Sequence, residues 1–517
     1  MSNNIDSFDI LIIGSGGAGL TSALSVYEDG FKIGIVSKSY PNNSQTSMAQ
    51  GGINASISES DSIASHIEDT LKSAKGLGDK EAIELLCKEA PKVIEWLDSI
   101  GMPFSRINSN IAQRQLGGTK QKRACYAEDY TGLKILQTLI DNVINRDITL
   151  LNNKFLLDLI VEDSKIIGVK LLNIETSEIE VIKAKSVILA TGGYSKIYGE
   201  YSTNSKDAIG SGISVALRSG VKISNMEFIQ FHPTALKSSS ILISESARGE
   251  GGILINSDNE RFVDELSTRD EVARAIYLQM QKNKSVFLDL RKLDKNFLME
   301  NLPQEIKLAK LHENIDVFSE PIPIKPSAHY SIGGINVNLK CETNIEGLYA
   351  VGECTNAKVH GANRLGGNSL LEIIVFGLIA GNSAKEYIKD KNFSNFEVSD
   401  YNNINFIDEL LKDNSNLNKN FYKEKHKLSK LLYEKVGLFR DEVNLNEALN
   451  YVNNINLSDF NIKDKNRTFN TELIEFLEFK DMIEIAKVVI KSAIERRESI
   501  GVHFRSDGNK SLLENYL

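Results

Sequence analysis

Five short segments collect the residue types that handle acids and protons. They are "QFHPT" (230–234), "ISESARGEGG" (243–252), "STRDEVAR" (267–274), "PSAHYSIGG" (326–334) and "HGANRLGGNSLLE" (360–372). Each has an ordinary reading when taken alone. His232, ahead of a proline, fits a satisfied core histidine. Arg248, Arg269 and Arg364 fit surface ion pairs, which are worth little. Glu245 fits a helical i,i+3 partner of Arg248. Together they form a recurring composition in which charged groups are bracketed by glycine, proline and small residues. Such backbone packs poorly and is favoured where it must approach a ligand closely. Guanidinium forks match carboxylates two bonds at a time. Two arginines and two histidines facing one cavity describe a dicarboxylate site, and Arg364 is read as gripping one acid.

Something must carry those segments. "FDILIIGSGGAGLTSALSVYEDGFKIGIVSKS" reads as strand, glycine turn, helix and strand, with the helix continuing through "LTSALSVYEDG". Gly14, Gly16 and Gly19 supply G-x-G-x-x-G at the turn: one for the tight bend, one for approach to a pyrophosphate, one for packing helix on strand. The diphosphate then sits at the helix N-terminus. The acidic residue expected at the end of the second strand, for a ribose hydroxyl, is replaced by Ser37 and Lys38. That weakens an NAD reading and leaves FAD open, with the lysine suited to a phosphate or a flavin-side anion. "KSVILATGGYSK" (186–196) and "IEGLYAVGECT" (345–355) return to the same domain as strands closing on small-residue turns. Between them, Asn225 to about Gly334 has its own charged, helical pattern and reads as an insertion. From about Lys385 the composition turns to Asn, Lys, Glu and Leu with helical periodicity and no proline. "KDNSNLNKN" (412–420) is a polar linker candidate.

The bulk numbers agree. A chain of 517 residues exceeds one core, so two or three domains are expected. A net charge of −9 argues against nucleic acid as the main partner, since a phosphate backbone needs a basic footprint. It leaves room for a locally positive pocket. Cys87, Cys125, Cys341 and Cys354 are scattered without a C-x-x-C pair. That argues against a self-contained iron–sulfur cluster or a disulfide framework, and no metal site is expected. The start reads as a strand entered directly rather than an export signal. The apolar run Leu370–Ala380 is far short of the roughly 20 residues that cross a bilayer. The expected compartment is the cytoplasm.

With these motifs in place, the chain resembles the flavoprotein family of succinate dehydrogenase, fumarate reductase and L-aspartate oxidase. The resemblance runs from residue 8 to about 385 and resumes at "ERRESIGVHFRSD" (495–507), with "AQGGI", "TGG", "QFHPT", "RGEGG", "TRD", "HYSIGG" and "GANRLGGNS" in the family's order. It implies an α/β fold: a Rossmann-type FAD-binding domain (1–225 and 335–385), an inserted α+β capping domain (226–334) and a C-terminal helical domain (386–517). It also implies roles. Arg364 and His329 would bind one substrate carboxylate, with His232 and Ser244 at the other. Arg269 would exchange the proton, fed through Glu245 and Arg248, while flavin N5 exchanges hydride with the opposite carbon. FAD would lie along Gly14, Gly16, Gly17, Ala18 and Gly19, then Ser37 and Lys38. Further contacts would come from Gln45, Thr46, Gln50, Gly51 and Gly52, from Thr191, Gly192 and Gly193, and from Asn368, Ser369 and Leu370. Glu353 would hydrogen-bond the ribityl chain.

Two positions discriminate within the family. Where respiratory members carry a histidine joined covalently to flavin, this chain has Gln45, which implies dissociable FAD. The resemblance links such members to poor succinate oxidation but retained fumarate reduction. L-aspartate oxidases carry glutamate before the two glycines of "RQLGG", where it meets the substrate ammonium. Leu116 stands there and offers a cation nothing. "RLGGNS" also leans to the fumarate side. The short C-terminus resembles the oxidases instead, and Ile500 replaces an arginine usual in both groups, putting the usual tail contacts in doubt. The expectation is a fumarate/succinate enzyme, with L-aspartate oxidation, giving iminoaspartate for NAD biosynthesis, as the alternative. The resemblance permits an iron–sulfur partner subunit, and through it a peripheral place at the inner face of a membrane.

Overall fold

The computed structural model describes residues 7–27, 30–146, 148–396, 401, 405–412 and 419–508. Among them a seven-stranded sheet forms the spine. Its order is Thr149–Leu151, Ile33–Val36, Ser7–Ile13, Ile179–Leu189, Lys165–Asn173 and Lys154–Glu162, with Leu348–Ala350 also paired to Ile179–Leu189. Ser7–Ile13 lies parallel to both neighbours. Its run of apolar residues is buried on both faces, as a covered parallel sheet requires. The strand Ile179–Leu189 does double duty: its first half pairs antiparallel with Lys165–Asn173, its second half parallel with Ser7–Ile13.

After the first strand the chain turns at Gly14, whose φ of +119° suits glycine. A Cβ there would lie 2.2 Å from the carbonyl oxygen of Ala190. The helix Gly17–Leu24 follows directly, pressed so close that a Cβ on Gly19 would meet the Gly14 oxygen at 2.0 Å. It is shorter than the sequence suggests. It closes at Ser25, whose hydroxyl donates back to the Ser22 carbonyl. Glu28 and Asp29 at the end of that expected helix lie outside the described residues, as does most of the 412–420 linker candidate.

A second, four-stranded sheet runs Ile229–Leu236, Ile322–Ser331, Val286–Asp289, Ile253–Asn256, antiparallel throughout. It packs its own apolar cluster around Leu254, Leu288 and Ile324. The chain enters and leaves this region at one place, because Ile223 and Ser224 pair antiparallel with Ile335 and Gly334. Past the long helix Asn368–Ile388, the described chain is mainly helical: Asn405–Leu411, Phe421–Lys435, Glu442–Asn453 and Thr471–Glu495. No helix among the described residues is long and apolar enough to cross a membrane. The tail Gly501–Arg505 folds back on the core, where Ile500 packs near Phe228, Tyr330 and Ala362 instead of making polar contacts.

Candidate active site

A single elongated cavity runs from the glycine turn to the second sheet, with about 1770 Å³ of space between its walls, part of it open to solvent. Its walls join the glycine turn and Thr191, Gly192 and Gly193 at one end to His232, Arg269, His329 and Arg364 at the other. Of the residues expected at the site, all but three border it. Gly19 is spent on packing the helix against the turn. Asn368 turns its amide to Asn54, His66 and Thr70. Arg248 lies behind Glu245, fully buried.

One end is built from backbone and hydroxyls. The N-terminus of the helix Gly17–Leu24 opens here, where the Gly17 N–H donates to Thr46 Oγ1 at 3.1 Å. Ser44 Oγ, Gln50 Oε1 and Thr191 Oγ1 are buried along the wall and find no partner among the described residues. Unpaired buried polar atoms are costly unless something satisfies them, and these fit a polar, phosphate-bearing cofactor such as FAD. Ser37 shares a 2.6 Å hydrogen bond with Ser15. Lys38 borders the cavity too, and its ammonium is held by Asp207 at 2.9 Å and by Glu478 from the helix Thr471–Glu495. Gln45 Oε1 accepts from the Ser205 N–H at 3.0 Å, tying two walls together. Glu353 accepts from the N–H and hydroxyl of Ser331, and burial still raises its carboxyl to about 7.

The other end concentrates charge. Arg269 opens the helix Arg269–Gln281 and holds Glu245 Oε2 through Nε at 3.0 Å and Nη2 at 2.5 Å. Arg248 Nη2 reaches Glu245 Oε1 at 3.3 Å. Burial pushes the Glu245 carboxyl upward, but Arg269, Arg248 and Arg364 outweigh it and hold it below the usual range. His232 and His329 face one another with ring centres 5.0 Å apart. Burial and the nearby arginines keep both rings well below the ordinary imidazole range, so both are neutral near pH 7. Thr203 Oγ1 lies 2.8 Å from His329 Nδ1.

Arg364 lies over the Tyr330 ring, its guanidinium carbon 4.3 Å from the ring centre. The Tyr330 hydroxyl donates to Glu372 Oε2 at 2.7 Å, and His360 Nε2 meets the same oxygen at 2.9 Å. Arg364 forms no ion pair among the described residues, and its Nε has no hydrogen-bond partner there. Burial, reinforced by Arg269, lowers it to about 10, so it stays charged at neutral pH.

Two contributors escape a reading by residue type. Gln230 accepts from Arg269 Nη1 at 3.3 Å and donates to the Arg364 carbonyl at 2.9 Å, bridging the two arginines. Its spacing of two from His232 on one strand was the available signal. Tyr330, under Arg364, looks like any core aromatic in sequence.

Comparison with known proteins gives the family and the fold. The family model described as an FAD binding domain matches residues 9–370, and the fumarate reductase flavoprotein C-terminal model matches 425–517. The succinate dehydrogenase flavoprotein subunit of Rickettsia conorii is 36% identical, covering 97% of this chain and 90% of its own length. The fumarate reductase flavoprotein subunit of Haemophilus influenzae is 33% identical over 98% of this chain and 90% of its own. The solved quinol fumarate reductase of E. coli superposes with a TM-score of 0.92 at 33% identity, over 97% of this chain and 91% of that one.

Proposed function

The chain belongs to the succinate dehydrogenase and fumarate reductase flavoprotein family, FAD-dependent oxidoreductases acting on a C4 dicarboxylate, and on that premise we propose that it interconverts fumarate and succinate, running best as a fumarate reductase. The observation that carries this reading is the charge balance at the substrate end. Arg248 and Arg269 pair with the one carboxylate of Glu245, Arg364 borders the same cavity without an ion pair among the described residues, and a dianion offsets that surplus.

In this reading Arg364 and His329 take one carboxylate, and His232 and Ser244 the other. Neutral imidazoles donate hydrogen bonds without adding charge, and Thr203 donating to His329 Nδ1 leaves the ring proton on Nε2 for the substrate. Holding both carboxylates polarises the double bond, and the guanidiniums offset charge that builds as it is reduced. When bound, FAD supplies the hydride. Arg269 gives the proton. Its ordinary pKa is far above neutral, so a transfer is feasible only if the proton is replaced at once; Glu245, in contact with it, does this from the Arg248 side. The apolar Leu116 borders the same space and gives a substrate ammonium no partner, which disfavours L-aspartate.

The same reading assigns 1–225 with 335–385 to cofactor binding, 226–334 to a cap and 386–517 to a helical domain. FAD is held without a covalent bond, since Gln45 lacks a nucleophilic ring nitrogen and commits its carboxamide to Ser205. Electrons arrive through an iron–sulfur subunit, which places the chain peripherally at a membrane. One assay tests the core of this. With FAD-loaded protein reduced anaerobically by dithionite, added fumarate should restore the oxidised flavin spectrum. Bleaching of oxidised flavin by L-aspartate, with fumarate inert, would overturn it. Acid precipitation should release the flavin into the supernatant.

A further inference from the structure

The Glu245 carboxylate ends between two glycines that come from outside the second-sheet region. A Cβ built on Gly117 would lie 2.5 Å from Glu245 Oε1, and one on Gly366 would lie 2.7 Å from Oε2. Carbon and oxygen ordinarily approach no closer than about 3.3 Å. Neither glycine has a left-handed backbone, so local conformation requires glycine at neither position. The nearest obstacle to a methyl group at each is Glu245 itself.

We propose that Gly117 and Gly366 are positioning residues: together they form a slot that seats the Glu245 carboxylate in reach of both Arg269 and Arg248. The inference rests on the proton-carrying part assigned to Glu245 above. The walls are fixed. Asn54 Nδ2 donates to the Gly366 carbonyl at 2.7 Å and to Asn368 Oδ1 at 2.8 Å. Opposite, Thr119 Oγ1 donates to the Leu116 carbonyl at 2.7 Å, and Gln115 Nε2 to the Thr119 carbonyl at 2.8 Å, closing the turn around Gly117. With backbone held on both sides and Arg269 gripping Oε2, a methyl group in the slot displaces the carboxylate. The carboxylate then leaves one guanidinium or the other.

A stability cycle and a rate measurement on the full-length, FAD-loaded protein decide it. Glycine to alanine at a permissive backbone usually stabilises slightly by narrowing the unfolded ensemble. Here Gly366→Ala and Gly117→Ala should each lower the denaturant midpoint, and in a Glu245→Ala background the same changes should leave it level or raise it. That change of sign reports coupling between neighbours. If an alanine variant alone does not fold, folding in the Glu245→Ala background supports the slot, and failure in both backgrounds overturns it. Equal shifts in both backgrounds also overturn it, whichever substrate the enzyme uses. In the rate measurement, Gly366→Ala should reduce fumarate about 10- to 100-fold more slowly. KM should stay near the wild-type value, and the solvent deuterium isotope effect should rise as proton delivery becomes limiting. Coupled stability with an unchanged rate and isotope effect would keep the slot as a structural seat and defeat the positioning claim through the proton role of Glu245. A wild type inert to fumarate would instead defeat the functional reading, with the stability cycle still decisive for the slot.

Discussion

Two arginine clusters lie largely inside this molecule, and they are built on opposite terms. Arg123 sits beneath the helix Ile63–Ser73 with its side chain fully enclosed. Its Nε and Nη2 donate to Asp61 at 3.0 Å each, Nη2 also to Ser65 at 3.0 Å, and Nη1 lies 2.9 Å from Asp69. One cation there meets two carboxylates. Around Glu245 the ratio reverses: Arg248 and Arg269 share one carboxylate, and Arg364 stands nearby without an ion pair among the described residues. Burial therefore does not distinguish a structural arginine from a working one, and neither does a missing carboxylate: Arg440 is fully buried without an ion pair among the described residues, and the carbonyls of Val436, Gly437 and Glu227 accept from it. A buried ion stripped of partners is expensive; Arg364, with Nε unpartnered among the described residues and its side chain on the cavity, fits an anion from outside.

Breaking each cluster should give different failures. The largest effect is expected from Arg269→Gln, with turnover of fumarate down about 10³-fold while the unfolding midpoint changes little, read by steady-state kinetics beside a denaturant titration. Arg123→Met should do the reverse. Leaving two buried aspartates unmatched costs about 3–5 kcal/mol, seen as a lowered midpoint, with activity per folded, FAD-loaded molecule preserved. A strong kinetic defect in Arg123→Met at full folding would erase the contrast. Arg364→Lys sharpens it: charge is kept but the planar fork is lost, so KM for fumarate should rise about tenfold with a smaller change in kcat. Leu116→Glu should produce measurable L-aspartate binding by difference spectroscopy, and no gain would mean the side chain does not face the ligand.

The smallest expected effect is a pH trend at Glu353. Burial raises this carboxyl from 4.5 to about 7 in the fold. An acid raised in this way favours the folded state fully below its unfolded pKa, and that contribution fades as pH climbs through its folded one. Stability of the chain should thus decline between about pH 4.5 and 7, and Glu353→Gln should flatten that decline in midpoints measured across the window.

Much of this was legible before any fold was known, and the reasons differ by region. The glycine turn is a local device: Gly14, Gly16 and Gly19 act within six residues, so spacing alone reveals strand, bend and helix. The substrate arginines and histidines come from distant segments, yet their glycine and proline neighbours betray them. What stayed hidden depended on contacts that sequence order conceals. Lys38 finds Glu478 440 positions away, an ion pair that its place just after the second strand gave no sign of. Tyr330 under Arg364 and Gln230 between two arginines are ordinary residues made special only by what stands beside them. The helix after the glycine turn ends at Leu24, short of the stretch that hydrophobic periodicity suggests.

The pairing of Ile223–Ser224 with Gly334–Ile335 has a mechanical consequence. It gathers the two backbone links of the 226–334 segment at one edge. The segment is also stitched along its length: the Thr203 N–H donates to the Ala328 carbonyl, and Asn204 Nδ2 donates to the His329 carbonyl at 2.9 Å. His329 thus stands at a seam, its backbone and its ring both held by residues from outside the segment that carries it.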